Sequence, residues 1–448
     1  MKSPEWVDGL IIVEVRPDTA SIGGTLSECY DLLDFYASVG VNGIWLSPIY
    51  ERGIGGNGYG NYGPHTLEPA ITGTTDVEEG WRVIRQFVDY AHSKGIYVFL
   101  DIITWGAMKS APIVAEHPSW FSGEAWGNPA FNWTNSEFTE WFTSTLVDNI
   151  LKTDADGYRC DCEPNYSGYD MFKNVRERLA KQNKYIIVIS EDGNSREATY
   201  DFEQDGVLQY SEISRGALYQ NPINFFADGY LNIVTAVQYG FGIGSEALQK
   251  DADLRGTLKY YTNCITNHDY QRRDVCGNRV NIGYSAILAP FIPLWYMGDE
   301  FNAQSERGVL YDLPVNYDDM NDIDNAFFLE DVRRMINIRR TNSGIFESWT
   351  MNHRDSNICK VTVSGQNFTQ SYARYADGKA ILVIPNNKNG VVSATVTIPF
   401  DECGIAGRDS YTVTDLMTGR VILSGTREEI ETFYVSVPYS YVGIFAVE

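Results

Sequence analysis

The feature that most constrains the fold is a repeated alternation of short apolar segments with longer segments of helical period. Apolar runs occur at residues 10–15, 43–46 and 96–103, and in segments such as 77–95 the apolar residues recur three and four positions apart. Apolar strands that alternate with helices indicate a parallel sheet that is covered by helices. About eight such units over roughly 340 residues predict a closed (β/α)8 TIM barrel of the α/β class. Periodicity alone also permits an open doubly wound sheet.

The same alternation continues to about residue 343, which is the expected end of the barrel domain (residues 1–343). Further strands are predicted at residues 157–161, 185–191, 207–210, 261–266 and 291–297. Further helices are predicted at residues 25–40, 137–152, 169–183, 246–259 and 330–341.

From residue 344 onward the pattern changes to short alternating runs that are separated by turn residues. The dipeptide 377–378 is Asp-Gly and lies between the runs 371–375 and 380–384, which is a strong signal of a β-hairpin. We therefore expect a C-terminal antiparallel β-sandwich over residues 344–448, beside the barrel.

Charge and composition exclude several classes of partner. The chain has 35 Lys and Arg against 59 Asp and Glu, a formal net charge of −24, and its basic residues form no cluster. Nucleic acid and anionic membrane surfaces both require a basic footprint, so neither is an expected partner. No apolar run approaches the roughly 18 residues of a membrane span. The first residues lack the pattern of a signal peptide, so a cytoplasmic protein is expected, or a secreted one if a leader was removed.

Two motifs match a pattern without its structural context. Residues 53–58 fit G-x-G-x-x-G, but a further Gly-rich run follows where a dinucleotide-binding helix would begin, so a loop is predicted. Residues 154–163 resemble part of a calcium loop, but Lys152 stands at the first ligand position, so this match is interpreted as accidental. The acidic segment 318–324 is interpreted as a solvated loop.

Four acidic residues lie at or near the predicted carboxyl ends of barrel strands, where barrel enzymes carry their chemistry. They are Asp101, Asp161, Glu191 and Asp269. Like charges that converge on one rim repel each other, which is costly to stability unless the charges act on a ligand. Glycoside hydrolysis requires such a set, with one carboxylate as nucleophile and one carboxylic acid as proton donor.

Two basic residues stand beside these carboxylates. Arg159 precedes Asp161 by two positions, so both side chains point to the same face of the strand. Its guanidinium would keep a nucleophilic aspartate ionised. His268 directly precedes Asp269 and could donate to a sugar hydroxyl, although a purely structural histidine is the alternative interpretation.

In order along the chain, these segments resemble the α-amylase family of retaining glycoside hydrolases (family 13). Residues 40–48 resemble the family's second-strand segment, and residues 58–59 resemble its loop with a stacking tyrosine. Residues 157–161 resemble the nucleophile motif, and residues 267–269 resemble the motif of the transition-state-stabilising aspartate. Residues 292–300 resemble the eighth-strand segment. Glu191 stands 30 positions after Asp161, where the family has its acid/base residue.

The resemblance implies a role for each of the site residues. Asp161 is expected to be the nucleophile, Glu191 the general acid/base, and Asp269 the residue that binds hydroxyls of the distorted sugar. The expected substrate-binding residues are Tyr59, Asp101, Trp105, Arg159 and His268.

The chain departs from the family pattern after the third strand. Trp105 and Gly106 stand where the family has Asn-His, and the missing asparagine often ligates calcium. No cofactor is expected; calcium is possible but is not expected at the usual family site. The segment 106–137 is short for the family's inserted subdomain, so only a small inserted loop subdomain is expected there.

The expected activity is that of a retaining α-glycosidase that acts on α-glucans or maltooligosaccharides through a covalent glycosyl-aspartate intermediate. The same residues would serve an α-glucan transglycosylase, since a sugar hydroxyl can replace water as the acceptor. A non-catalytic carbohydrate-binding relative that kept the barrel is a second alternative. Carbohydrate is the expected partner in all three cases.

Overall fold

The computed structural model describes most of the barrel and of the C-terminal region. The described ranges are residues 4–53, 57–162, 169–190, 207–211, 261–264, 266–269, 279–289, 292–303, 313–347, 357–364, 371–386 and 390–448. The predicted helix at residues 246–259 lies outside them.

Eight parallel strands close into a barrel. In the order in which they are hydrogen-bonded, they are β1 (Ile12–Val15), β2 (Gly43–Leu46), β3 (Tyr97–Ile103), β6 (Gly157–Asp161), β7 (Ile187–Ser190), β8 (Val207–Ser211), β9 (Tyr261–Cys264) and β10 (Ile292–Tyr296). The sheet is closed because β1 pairs with both β2 and β10. The predicted TIM barrel is therefore confirmed, and the open sheet is excluded. A separate hairpin, β4 (Phe121–Ala125) and β5 (Asn128–Phe131), lies in the segment after β3.

The helices largely follow the predicted positions. In the described ranges they are α1 (Pro17–Ala20), α2 (Tyr30–Val39), α3 (Pro69–Thr72), α4 (Val77–Ser93), α5 (Pro112–Glu116), α6 (Ser136–Thr153), α7 (Tyr169–Ala180), α8 (Ile323–Thr341), α9 (Ser343–Phe346) and α10 (Arg427–Ile430), with a π-helix at Val280–Ile287. Short 3-10 segments occur at Glu5–Gly9, Leu26–Cys29, Pro118–Trp120, Asp299–Phe301 and Tyr317–Asn321.

Side-chain caps explain where the long helices begin. The Asp76 carboxylate accepts from a backbone N–H of the first turn of α4, and Asn135 does the same for α6. Helix α8 starts at residue 323 rather than at the predicted 330, because Asp322 caps it. The sequence pattern missed this first part because Ile323 and Phe327 are exposed there, which hides the helical period.

The C-terminal region folds into two antiparallel sheets, as predicted. The larger sheet has the order β11 (Ile358–Lys360), β13 (Tyr372–Ala376), β14 (Lys379–Asn386), β19 (Tyr441–Val447), β16 (Tyr411–Asp415) and β17 (Arg420–Gly425); the smaller has the order β12 (Thr362–Val363), β15 (Val392–Thr397) and β18 (Thr432–Val437). The predicted Asp377-Gly378 turn joins β13 to β14. The boundary at residues 343 and 344 stays a prediction.

The larger C-terminal sheet packs against the barrel through the π-helix. The Tyr372 hydroxyl donates to the Tyr284 carbonyl at 2.9 Å, and Arg374 Nη1 donates to the Leu288 carbonyl at 3.4 Å. From α8, Arg339 Nη1 donates to the Ile287 carbonyl at 2.7 Å. Both guanidiniums are buried, and burial lowers the pKa of Arg374 to about 9 and that of Arg339 to about 10. These arginines satisfy backbone carbonyls that the end of the π-helix would otherwise leave unpaired.

No helix in the described ranges combines the length and the apolar character that a membrane span requires.

Candidate active site

One guanidinium joins two of the predicted site carboxylates. In the parallel pairing of β3 with β6, Asp101 lies opposite Arg159 and Ile103 lies opposite Asp161. Arg159 Nη1 is 3.1 Å from both carboxylate oxygens of Asp101 and 3.1 Å from Oδ1 of Asp161. The two-residue spacing in β6 places Arg159 and Asp161 on the same side of the strand, as the sequence predicted.

Asp101 is fully buried, and its carboxylate is surrounded by donors. Oδ2 accepts from Trp45 Nε1 at 2.9 Å and from the Tyr59 hydroxyl at 2.8 Å, in addition to Arg159. Burial raises the pKa of Asp101, and the Arg159 charge and these hydrogen bonds oppose that rise. Both Asp101 oxygens thus face protein donors. Asp101 therefore orients the side chains of Arg159, Tyr59 and Trp45. Direct contact of Asp101 with substrate stays a prediction.

His268 pairs with a buried glutamate from the first strand. Its Nδ1 lies 2.6 Å from Glu14 Oε1, and its backbone N–H donates to Glu14 Oε2 at 3.3 Å. Burial by itself lowers the pKa of His268, but the charge and hydrogen bond of Glu14 outweigh burial, so the pKa is raised. The other ring nitrogen, Nε2, lies 3.7 Å from Asp269 Oδ2. Glu14 therefore fixes the imidazole in the orientation that turns Nε2 toward Asp269.

Tyr59 connects the two buried groups. Its ring stacks on the His268 ring with centroids 4.7 Å apart and an interplanar angle of 17°. Its hydroxyl donates to Asp101 and lies 3.5 Å from His268 Nδ1. Burial raises the pKa of Tyr59 well above its ordinary value, which keeps the hydroxyl protonated as a donor. The expected stacking of Tyr59 on a sugar stays a prediction.

Trp105 follows directly after β3 and is half-buried. The preceding residue, Thr104, donates its hydroxyl to the Asp161 carbonyl at 3.0 Å and to the Cys162 carbonyl at 2.7 Å. The Asn61 amide, from the loop that carries Tyr59, donates to the Gly106 carbonyl at 2.8 Å. The loops after β2 and β3 are thus tied to each other and to the end of β6.

The structure brings together seven of the eight site residues that the sequence predicted. Asp101, Asp161, Arg159, Tyr59, His268 and Asp269 are linked by the contacts above, and Trp105 adjoins them through Thr104. Glu191 lies outside the described residues. It directly follows Ser190, the last residue of β7, which pairs with Cys160 next to Asp161. The assigned catalytic and binding roles stay predictions.

Sequence reasoning missed Glu14 and Trp45, which position the predicted residues. Glu14 is a fully buried acid within the apolar strand β1, and its Oε1 also accepts from the Ser47 hydroxyl at 3.0 Å. A single carboxylate in an otherwise apolar barrel strand was the available signal, because such a group must find a partner when buried. Trp45 gave no such signal, since an indole in a barrel strand is ordinary core.

Within the described ranges, no group of three or more His, Cys, Asp or Glu residues could hold a metal ion. The donors around Asp101 and Glu14 are a guanidinium, an indole, hydroxyls and an imidazole, which satisfy the carboxylate oxygens without a metal ion. The expectation that the protein needs no metal and no cofactor stays a prediction.

Comparisons with known proteins agree with this architecture, although no family model matches the chain. A cyclomaltodextrinase of Thermoanaerobacter pseudethanolicus is 22% identical over 442 residues, which cover 86% of this chain and 71% of the relative. An intracellular maltogenic amylase of Bacillus subtilis is 20% identical over 450 residues, which cover 87% and 70%. Among solved structures, an α-amylase from Geobacillus thermoleovorans in complex with acarbose superposes with a TM-score of 0.74 at 15% identity, covering 100% of this chain and 99% of that one.

The barrel, the C-terminal sheets and the carboxylate cluster, together with these relatives, define the class of protein: the chain is a glycoside hydrolase. Its relatives and structural neighbours are named as members of the α-amylase family, so the resemblance on which the site residues were assigned is confirmed.

Proposed function

We propose that the chain hydrolyses α-glucosidic bonds of α-glucans and maltooligosaccharides with retention of configuration. The observation that carries this proposal is the shared guanidinium of Arg159, which holds Asp161 at the end of β6 beside the buried Asp101. A carboxylate that accepts from a permanently charged donor is kept ionised, as a nucleophile must be. The relatives named cyclomaltodextrinase and maltogenic amylase, and the neighbour that was solved with acarbose, support the substrate class.

In the first step, an oxygen of Asp161 attacks the anomeric carbon of the sugar. The carbon–oxygen bond to the departing sugar breaks, Glu191 delivers its proton to that oxygen, and a covalent glycosyl-aspartate ester forms. In the second step, Glu191 takes a proton from water, the water oxygen attacks the anomeric carbon, and Asp161 is released. Two inversions give net retention.

The remaining residues bind and orient the sugar. Asp269 is half-exposed beside His268 Nε2, and the two would donate to and accept from hydroxyls of the distorted ring. Glu14 holds the His268 ring, and Arg159 with Asp101 holds Tyr59. Preorganised groups of this kind stabilise a transition state because they need no reorganisation when charge develops.

The location and the requirements of the protein are also proposed. We propose a cytoplasmic enzyme, because a relative from Bacillus subtilis is named intracellular. We propose that neutral carbohydrate is its partner and that it uses neither a metal nor a cofactor. The net charge of −24 disfavours nucleic acid and anionic membranes.

The test compares the chain with its Asp161→Asn variant on maltohexaose, with products separated by chromatography and the first-formed anomer read by NMR. We expect the wild type to release shorter sugars in the α configuration, and the variant to lose at least about 10³-fold in kcat with unchanged thermal unfolding. The control is Asp409→Asn, an exposed acid in the C-terminal region, which should retain full activity.

Other outcomes would decide between the alternatives. Products longer than maltohexaose would identify transfer to a sugar acceptor rather than hydrolysis. Binding of maltohexaose with no bond cleavage by the wild type would identify a non-catalytic carbohydrate-binding protein. Full activity of Asp161→Asn would overturn the assignment of the nucleophile.

A further inference from the structure

Tryptophan is unfavourable at position 126 for two reasons: the backbone there has a positive φ that strains a bulky side chain, and the apolar ring is exposed to solvent. Trp126 is 72% exposed, and with Gly127 it forms the two-residue turn between β4 and β5, with φ of +48° and +72° respectively. Two-residue hairpin turns with positive φ at both positions favour Asn-Gly, because a bulky side chain is strained there. Strain that stability does not require is a reason to look for a function.

We propose that Trp126 and Trp105 form a sugar-binding surface at the edge of the candidate active site, on which a glucosyl unit of a bound α-glucan chain stacks, away from the reacting bond. This inference rests on the proposed function and adds a determinant of chain length to it. The two indole centroids are 5.6 Å apart and the rings are nearly perpendicular, at 81°. Two perpendicular rings form a corner, and the C–H face of a pyranose packs on a flat apolar ring of this kind.

The hairpin is held in place by the backbone on either side of Trp105. Phe131 N–H donates to the Trp105 carbonyl at 3.2 Å, and Ala107 N–H donates to the Pro129 carbonyl at 3.1 Å. Gly106 permits this close approach, since a Cβ at that position would lie 2.1 Å from the Pro129 oxygen. Strand β5 therefore extends from the segment that directly follows β3.

The base of the hairpin is fixed without any help from Trp126. The Phe131 ring stacks on Phe138 of α6 at a centroid distance of 4.7 Å, and it also contacts Phe142 at 5.6 Å. At the tip, the Asn128 amide donates to the Trp126 carbonyl at 3.1 Å, which holds the turn through the backbone. The indole of Trp126 thus contributes little to the stability of the hairpin.

The same segment is fixed to the candidate nucleophile. Thr104, the neighbour of Trp105, donates its N–H to the Asp161 carbonyl at 3.2 Å and its hydroxyl to the same carbonyl. Thr104 is hydrogen-bonded to Asp161, it is the chain neighbour of Trp105, and the Trp105 ring contacts the Trp126 ring. The two indoles are therefore connected to the end of β6. A glucan chain that extends from Asp161 over this side of the rim reaches the two rings only when it is long enough.

The experiment replaces Trp126 by asparagine, which removes the indole and restores the preferred Asn-Gly turn. The ratio of kcat/KM on maltoheptaose to kcat/KM on maltotriose is measured for the wild type, for Trp126→Asn and for Trp126→Phe. We expect this ratio to fall about tenfold in Trp126→Asn, through a higher KM for maltoheptaose, and to recover largely in Trp126→Phe. Thermal unfolding of Trp126→Asn should be unchanged or shifted upward, since the turn is relieved of strain.

The matched control is Tyr434→Ala, which removes an aromatic ring of similar exposure, 69%, from β18 of the C-terminal region. We expect this control to leave the ratio as in the wild type. A ratio in Trp126→Asn within twofold of the wild type would overturn the proposal. So would an equal loss in Tyr434→Ala, which would indicate a general effect of surface aromatic residues.

A binding measurement separates this inference from the proposed reaction. Calorimetric titration of maltoheptaose into Asp161→Asn, with and without Trp126→Asn, reports affinity whether or not bonds are cleaved. We expect Trp126→Asn to weaken binding about tenfold. Equal affinities with and without Trp126→Asn would overturn the role of Trp126, even if the wild type cleaves α-glucans. If Trp126→Asn weakens binding but the wild type cleaves no α-glucan, the binding role of Trp126 is supported and the proposed reaction is overturned.

Discussion

Arg159 and Asp101 form an ion pair that is fully buried inside the barrel, with Arg159 Nη1 3.1 Å from both carboxylate oxygens. The same nitrogen lies 3.1 Å from Asp161 Oδ1. A buried ion pair is costly to assemble because two charges leave water, and the cost is reduced when further donors complete the network. Here Trp45 and Tyr59 complete it. The arrangement fixes the position of the guanidinium that faces Asp161.

The first prediction concerns the shape of this guanidinium. Arg159→Lys keeps the positive charge but removes the guanidinium whose Nη1 contacts both Asp101 and Asp161, and a flexible ammonium group is not held at that position, so both carboxylates lose a defined partner. We expect kcat/KM on maltohexaose to fall at least about 100-fold, with a decrease in unfolding free energy of about 2 kcal/mol or more. Steady-state kinetics and urea unfolding measure the two effects.

The control for Arg159→Lys is Arg82→Lys, at an exposed site on α4 where the arginine contacts Glu79 within the same helix. That change should alter neither quantity, because an exposed pair contributes little. Retention of full activity in Arg159→Lys would contradict a positioning role for the guanidinium.

The second prediction concerns the pair of Glu14 and His268. Glu14 raises the pKa of His268 against the opposing effect of burial, so Glu14→Gln should lower the pKa of the imidazole. NMR titration of histidine ring carbons, with the signal assigned by a His268→Gln variant, measures the shift. We also expect kcat to fall about tenfold, because the ring loses its fixed orientation. An unchanged titration midpoint would contradict the pairing.

The third prediction concerns stability at the opposite end of the barrel. His92 Nε2 lies 2.9 Å from Asp156 Oδ2, and this hydrogen bond raises the pKa of His92 above 6.5, despite burial. A raised folded-state pKa gives stability that is fully present below pH 6.5 and is lost as the pH rises through the folded pKa. His92→Gln should therefore reduce the unfolding free energy more at pH 5.5 than at pH 8.5, by about 1 kcal/mol.

Urea unfolding of both chains at the two pH values measures this difference. In an Asp156→Asn background the pH dependence of the His92 substitution should become much smaller, because the main partner charge is gone and only Asp154 Oδ2, 3.9 Å from His92 Nδ1, still favours the protonated ring. A pH-independent effect of His92→Gln in the otherwise unchanged chain would contradict the assignment.

The fourth prediction concerns metal. Trp105 and Gly106 replace the Asn-His pair of the family, so removal of divalent cations should leave the enzyme intact. We expect EDTA treatment to change activity by less than twofold and the Tm by less than about 2 °C. Strong inactivation that calcium reverses would show that a calcium site exists with other ligands.

The sequence by itself determined a parallel sheet covered by helices, because apolar strands of parallel type must be covered by the helices that alternate with them. Closure of that sheet into a barrel was predicted from the count of about eight units, and the structure confirmed it. It also determined which carboxylates lie near strand ends, since strand length fixes where Asp161 and Asp269 fall. The turn at Asp377-Gly378 was equally local, because its residue types alone specify it. Helix α8 was predicted too short where exposed apolar residues obscured its period.

Only the tertiary structure decided how the site is supported. Glu14 and His268 are 254 positions apart in sequence, and no local pattern pairs them. The closed barrel surrounds Asp101 with Arg159 and Tyr59, which come from different strands and loops, and its contact with substrate stays a prediction. The strained Trp126 was recognised only once the hairpin was in place. Contacts of this kind depend on the packing of distant segments, whereas the strands and turns depend on neighbouring residues.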